Sequence, residues 1–290
     1  MKSYKQVLKV TLFQFLKWRR DYRIHMIVIT VLILLLKYTS GIKTFAKVSG
    51  YPSSPWLLPI LMENYYVSMG LLKVLLLFGV IFLFCDAPFF DPAKPYLLIR
   101  CKRRAWWQGE VLYIIMTSFF YLCVITIGSV LSLLPNVAFM SDWGKVLGTL
   151  ALTNARDTYA PTLSFYPSLI TIYSPIYAMF LSFVLNWLAS ALLGLIIYFC
   201  NINLKRKEPG LALASFLVLV DPIVRYIGNP DFYWISPVSW SSLSSLSRLN
   251  GNKYPSELYA VIMFLIIIGT LIVMIAKNTK HRDITSNDFI

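Results

Sequence analysis

Three stretches of this chain, 111–134, 172–200 and 258–276, contain no charged residue at all. A water-soluble helix needs a polar outward face, whereas a helix crossing hydrocarbon needs about 20 consecutive apolar positions. Such runs restrict the chain to a lipid-embedded helical bundle. Three more apolar runs, 24–40, 66–85 and 211–228, are interrupted by only a few ionisable residues, among them Lys37, Lys73, Asp221 and Arg225. Charged residues make up 14% of the chain, against about 25% in soluble domains, which leaves no room for a large water-soluble domain.

The reading is an all-α polytopic membrane protein of six spans, with 24–276 as one transmembrane domain. The 1–23 segment precedes it as an amphipathic helix. Tyr4, Val7, Leu8, Leu12, Phe15 and Leu16 recur at helical spacing, while Lys2, Lys5, Lys9 and Lys17 lie mostly opposite and Val10 and Phe13 blur the pattern. A helix of that kind lies in the membrane interface. No small-residue cleavage site follows the first apolar run, so it is expected to be retained. The loop from 135 to about 169 is too polar to cross, and 277–290 form a basic tail.

The net charge of +14 would point to nucleic acid in a soluble protein. Here the basic residues fall between the apolar runs, on alternate sides, as an orientation signal does. With the N-terminus inside, the inner segments hold Lys2, Lys5, Lys9, Lys17, Arg19, Arg20, Arg23, Lys94, Arg100, Lys102, Arg103, Arg104, Lys205, Arg206, Lys207, Lys277, Lys280 and Arg282. Those are eighteen of the 27 basic residues. Both termini are therefore expected in the cytoplasm. Anionic lipid or an acidic cytoplasmic partner is the better use of the charge, and no nucleic-acid partner is expected. Ser54, Ser164 and Ser244 are expected to be accessible from outside, and Cys101 only from inside. None of the four cysteines falls in an outer loop, which fits free thiols. With two histidines in the chain, no metal centre is expected. Trp18, Trp106 and Trp107 within, and Trp56, Trp143, Trp234 and Trp240 without, have the distribution of an aromatic belt.

Charges at bilayer depth cost at least about 2.5–3.5 kcal/mol each on insertion scales, so they persist for a reason. Lys73 lies in the second run. Asp221 and Arg225 lie four residues apart in the fifth, on one helical face. A functional reading makes Lys73, Asn186, Asp221 and Arg225 a polar lining on a translocation path. The structural reading, preferred for each, has an Asp221–Arg225 ion pair, Pro222 ending the regular helix, Lys73 snorkelling outward, and Asn186 in an interhelical hydrogen bond. Catalysis has little support: neither His25 nor His281 sits beside a nucleophile and carboxylate. Asp86 and Asp91 are better read as helix caps than as ligands for a metal-diphosphate substrate.

The most informative stretch is D-A-P-F-F-D-P-A-K-P-Y-L-L-I-R-C-K-R-R-A-W-W-Q-G-E, which links the second and third spans on the inner side. Pro88, Pro92 and Pro95 break the incoming helix, and proline suits the first turn of a new one. A short helix over about 96–105 would place Leu97, Leu98 and Cys101 on one side and leave Arg100, Arg103 and Arg104 to a partner. This organisation resembles an ABC exporter permease of the second structural type, whose ATPase is a separate polypeptide. P-Y-L-L-I-R-C-K-R-R-A-W-W-Q-G-E-V-L-Y looks like that family's cytoplasmic coupling helix, and I-S-P-V-S-W-S-S-L, between the fifth and sixth spans, resembles its short external re-entrant helices. The long outer loop after the third span departs from many relatives.

The resemblance implies a plasma-membrane transport subunit, of bacterial type, moving an amphipathic or hydrophobic cargo such as an antimicrobial peptide, lipid or drug out of the cell. Tyr96, Leu97, Leu98, Arg100, Arg103 and Arg104 would couple it to the ATPase. It also implies pairing with a second permease copy or paralogue. The chain is not itself an enzyme in this reading: it has no G-x-x-x-x-G-K-[ST] phosphate loop, so ATP and Mg would be bound by the partner subunit and no cofactor by this chain. Two other readings stay open: a non-transporting membrane scaffold or sensor, and an ATPase-independent secondary carrier.

Overall fold

A computed structural model describes residues 2–65, 70–89, 101, 103–204 and 206–281. In chain order its helices are α1 (Lys2–Lys17), α2 (Tyr22–Ser49), α3 (Leu58–Met62), α4 (Leu72–Phe84), α5 (Arg103–Ser132), α6 (Gly144–Leu152), α7 (Ala155–Tyr159), α8 (Pro167–Ile172), α9 (Pro175–Leu204), α10 (Glu208–Ile227), α11 (Pro230–Tyr233), α12 (Ser247–Asn250) and α13 (Glu257–His281). Among the described residues there is no strand beyond an isolated bridge between Ser53 and Val137. Five helices, α2, α5, α9, α10 and α13, are long and apolar enough to cross a membrane. The apolar stretch of α9 is 72% buried, against 22% for α2 and α13, so α9 is the axis around which the others pack.

The second apolar run behaves differently from the other five. Gly70 and Leu71 both adopt positive φ, 87° and 53°, and regular helix begins only at Leu72. Left-handed residues cannot continue a right-handed ladder. The 13 residues of α4 reach only about 20 Å, short of the ~30 Å hydrocarbon core. Among the described residues, five helices are thus long enough to span and the second of the six expected runs holds a shorter apolar helix, a half-helix. The half-helix starts where α3 ends: the Lys73 amide, one of its unsatisfied first-turn donors, reaches the Asn64 carbonyl at 2.9 Å.

One end of the bundle gathers α1, the first turns of α2, α5 and α10, and the last turns of α4, α9 and α13; it is called the basic end below. Here α1 lies against α5. Gly109 makes this crossing possible, because a Cβ on it would fall 2.7 Å from Val10. Gln14 donates to Glu110 at 2.7 Å, Thr11 to the Gly109 carbonyl at 3.0 Å, and Trp18 to the Tyr113 hydroxyl at 2.8 Å. The packed stripe is therefore Val7, Val10, Thr11 and Gln14, while Tyr4, Leu12 and Leu16 stay exposed. Val10, which blurs the amphipathic pattern, is a contact with protein. Arg23 pairs with Asp21 and Asp86, and Lys207 reaches Asp86 at 3.5 Å, so Asp86 ties the starts of α2 and α10 to the end of α4.

The opposite end is covered by folded loops. Residues 135–169, too polar to cross, form α6 and α7 and pack beside the last turns of α2, which extends to Ser49, beyond the expected 40. The run at 172–200, long enough to tilt or to begin with a broken turn near Pro175, takes the second course: Tyr173 and Ser174 lie outside α8 and α9, and α9 starts at Pro175. Tryptophans staple these loops together. Trp56 donates to the Met140 carbonyl, Trp143 to Tyr173, Trp234 to Lys253 and Trp240 to Tyr233, at 2.6–3.1 Å. Trp106, in α5, and Trp143 and Trp240 are buried in protein, which corrects their assignment to an interfacial belt; for Trp143 and Trp240 the loops supply the carbonyl that a buried indole needs. Ser54 and Ser164 are likewise buried, contrary to their expected accessibility.

Two more expectations change. Pro222 does not end the fifth helix. The bond from Arg225 Nε to Asp221 Oδ1, 2.9 Å, spans the proline, and α10 runs on to a left-handed Gly228 cap. Arg103 and Arg104 belong to the first turn of the 30-residue α5, not to a separate short helix. Tyr96, Leu97, Leu98 and Arg100 lie outside the described residues.

Candidate functional site

Lys73, Asp221 and Arg225 meet in one buried cluster beneath the loop-covered end. Lys73 is the second residue of the half-helix, and its side chain is 0% exposed. It does not snorkel. Its ammonium donates to Asp221 Oδ2 at 2.9 Å, to the Val238 carbonyl at 3.0 Å and to Ser242 Oγ at 2.5 Å. Three acceptors match its three protons. The Asp221 carboxylate, 1% exposed, receives Lys73 on one oxygen and both Arg225 Nε and Ser239 Oγ, the latter at 2.7 Å, on the other.

Arg225 extends the cluster to a second carboxylate. Its Nη1 donates to Ser244 Oγ at 3.0 Å, while the Ser244 hydroxyl and amide both donate to Glu63. The guanidinium lies 3.7 Å from the centroid of the Tyr65 ring, a cation–π contact, and its Nη2 is buried with no hydrogen-bond acceptor among the described residues. Two cations and two carboxylates thus balance in a space where any unpaired charge would be costly.

The polar partners come from 236–245, the serine-rich segment between α11 and α12. It enters the bundle as two short 3-10 turns, Ser239–Ser241 and Leu243–Ser245. Ser236, Ser239, Ser241, Ser242 and Ser245 are buried there. Asn186, in the middle third of α9, donates to the Ser241 carbonyl at 3.0 Å and to the Ser182 carbonyl at 2.8 Å, and its Oδ1 is buried with no donor among the described residues. All four residues singled out as polar within the apolar runs, Lys73, Asn186, Asp221 and Arg225, therefore converge on this one segment.

A second clamp closes the same end nearer its surface. The Tyr173 and Tyr177 hydroxyls donate to Glu257 at the start of α13, and Arg248 sits 3.6 Å from that carboxylate and 4.7 Å from the Tyr173 ring centroid. Burial, reinforced by the Glu257 carboxylate, pushes the Tyr173 phenol well above its ordinary range, so it stays a donor. The arrangement is a set of directional polar contacts able to hold a closed end together and to be broken as a unit. It contains no nucleophile–base pair.

Sequence reasoning missed Glu63 and Tyr65, placed Ser239 and Ser242 in a re-entrant segment without giving them a part in the cluster, and expected Ser244, which is half-buried, to be accessible from outside. A signal existed for the serines: S-P-V-S-W-S-S-L-S-S-L-S is too regular in small hydroxyls for an ordinary solvent loop. Glu63 and Asn64, at the edge of an apolar stretch, had none. No family model, curated protein or solved structure matches the chain.

Proposed function

We propose that this chain is the membrane subunit of an ATP-driven exporter, moving an amphipathic or hydrophobic molecule with energy from a separate ATPase, and that the basic end faces the cytoplasm. The observation that carries the reading is the buried 236–245 segment, held on the start of a half-helix by Lys73 and Asp221. A pump needs one end of its path closed by contacts that break and re-form together. In a balanced ionic latch the charges stay paired while the end is closed, and because removing any one partner leaves a buried charge unpaired, its members separate together or not at all.

At the other end, the link between α4 and α5 supplies the means of moving it. The half-helix carries Lys73 near its start and ends at Phe84, at the basic end, so in this reading a push at that end reaches the latch along α4. Arg104 is exposed in the first turn of α5, at the junction. Pairing with a second copy or a paralogue completes the path in this reading.

Charge reversal at Arg103 and Arg104 tests it. The expected result is loss of a bound ATPase and of its stimulated hydrolysis, with membrane insertion unchanged. Unaltered partner binding and unaltered hydrolysis would count against a docking role for this end.

A further inference from the structure

Tyr173 and Tyr177 stand as a near-parallel pair at the loop-covered end, their ring centroids 6.0 Å apart and their planes 13° from each other. Glu257 closes one side of the pair, since the two hydroxyls donate to different oxygens of its carboxylate. These three residues hold one another in place without help from a cation. The cup they form offers two aromatic rings and one negative charge, a combination that attracts a planar organic cation. Such a cation is already there, and it is loosely held. The Arg248 guanidinium lies 4.7 Å and 5.3 Å from the two ring centroids, but its Nη1 stays 3.6 Å from Glu257 Oε1, longer than a hydrogen bond. The Arg248 side chain is exposed. The backbone around it is fixed by other bonds: the Ser247 amide donates to the Pro255 carbonyl at 2.9 Å, and the Gly251 amide to the Ser247 carbonyl at 2.7 Å. Arg248 can therefore swing out while the cup and α12 keep their shape.

The cup opens beside an apolar surface. Tyr177 is exposed, and so is Phe180, three residues further along α9 and thus on the same face. We infer that Tyr173, Tyr177 and Glu257 form a binding site for a guanidinium carried on an apolar body, and that Arg248 is the internal occupant which such a ligand displaces. A guanidinium is the matching head group because it is flat, weakly hydrated and able to lie on an aromatic ring while facing a carboxylate. The apolar body would lie along Phe180. The inference rests on the geometry of this clamp alone and stands apart from the transport reading.

The test uses the full chain in mild detergent and saturation-transfer NMR, which detects weak ligands. The probes are benzoylargininamide, its uncharged isostere benzoylcitrullinamide, and methylguanidinium. One exposed ion pair and two cation–π contacts favour the internal occupant by about tenfold. R248A, and R248Q beside it, should therefore bind benzoylargininamide about tenfold more tightly than the parent. E257Q/R248A should lose most of that gain, and benzoylcitrullinamide should not bind. F180A/R248A should weaken benzoylargininamide while leaving methylguanidinium unchanged. R20Q, at the basic end, should match the parent and reports on general damage. No gain in either R248A or R248Q overturns the inference, as does equal binding of the citrulline isostere or undiminished binding by E257Q/R248A. Methylguanidinium bound as tightly as benzoylargininamide, with F180A affecting neither, overturns the part given to the apolar body.

Discussion

Replacing Asp221 with Asn removes one charge from the latch and leaves two buried cations facing a neutral amide. Asp221 holds Lys73 and Arg225, each at 2.9 Å. At an effective dielectric of about 20, a pair of unit charges about 4 Å apart is worth roughly 4 kcal/mol, so about 8 kcal/mol of gross attraction is lost. Desolvation offsets much of that, and removing one partner of a buried pair costs about 3–5 kcal/mol net. Lys73→Met should cost less, about 1–3 kcal/mol, because Asp221 keeps Arg225 and Ser239 while the lost bonds are charge-assisted ones. The double variant should fall short of the sum by about 0.5–3 kcal/mol, since both changes break the same contact. Unfolding by SDS titration in mixed micelles measures all three. An Asp221→Asn cost below about 1 kcal/mol, or strict additivity with Lys73→Met, refutes a latch in which this carboxylate is the hub.

Further outcomes follow from other parts of the bundle. Gly109→Val should weaken the α1–α5 crossing by about 1–3 kcal/mol, because the added atoms meet Val10; protease sensitivity confined to residues 2–17 would report it, and an unchanged profile would contradict it. Asn252→Cys and Arg206→Cys, both at exposed positions, should label from opposite sides of a sealed vesicle, with Arg206→Cys on the cytoplasmic side; labelling from one side would dismantle the topology. Asp21 caps α2, and its hydrogen bonds from Arg23 hold its carboxyl below the ordinary range. A lowered folded value means that its stabilisation is complete above the unfolded value of about 3.9 and fades as pH falls through the folded one. Thermal stability of the parent should therefore drop more than that of Asp21→Asn when the buffer is taken below pH ~4, and identical pH profiles would remove Asp21 from the account.

Much of the bundle was legible because hydrocarbon imposes length and apolarity on each crossing, and both are visible in a linear sequence. Stretches such as 258–276 admit one interpretation. The half-helix was not legible, because Gly70 and Leu71 sit inside an apolar run and hydropathy carries no record of φ. Asp221 and Arg225 were readable as a pair from their spacing alone. Their partner Lys73 is 148 positions from Asp221, and nothing local reveals that distance closing. The serine turns were singled out as a re-entrant segment, but the partners of Ser239 and Ser242, Asp221 and Lys73, are distant in sequence and leave no local trace. At the basic end, Arg103 and Arg104 were assigned to a short helix over about 96–105; their place in α5 depended on where a long helix begins, the least legible feature of any helical sequence.

The central claim is that a separate nucleotide-hydrolysing polypeptide drives this bundle from its basic end. Affinity purification of the tagged chain from its native membrane, followed by quantitation of co-eluting subunits and ATP turnover, addresses it most directly. The account predicts a stoichiometric ATPase whose hydrolysis falls when Arg103 and Arg104 are reversed in charge. A pure, folded chain that elutes without any such subunit, from membranes where the ATPases remain intact, contradicts it.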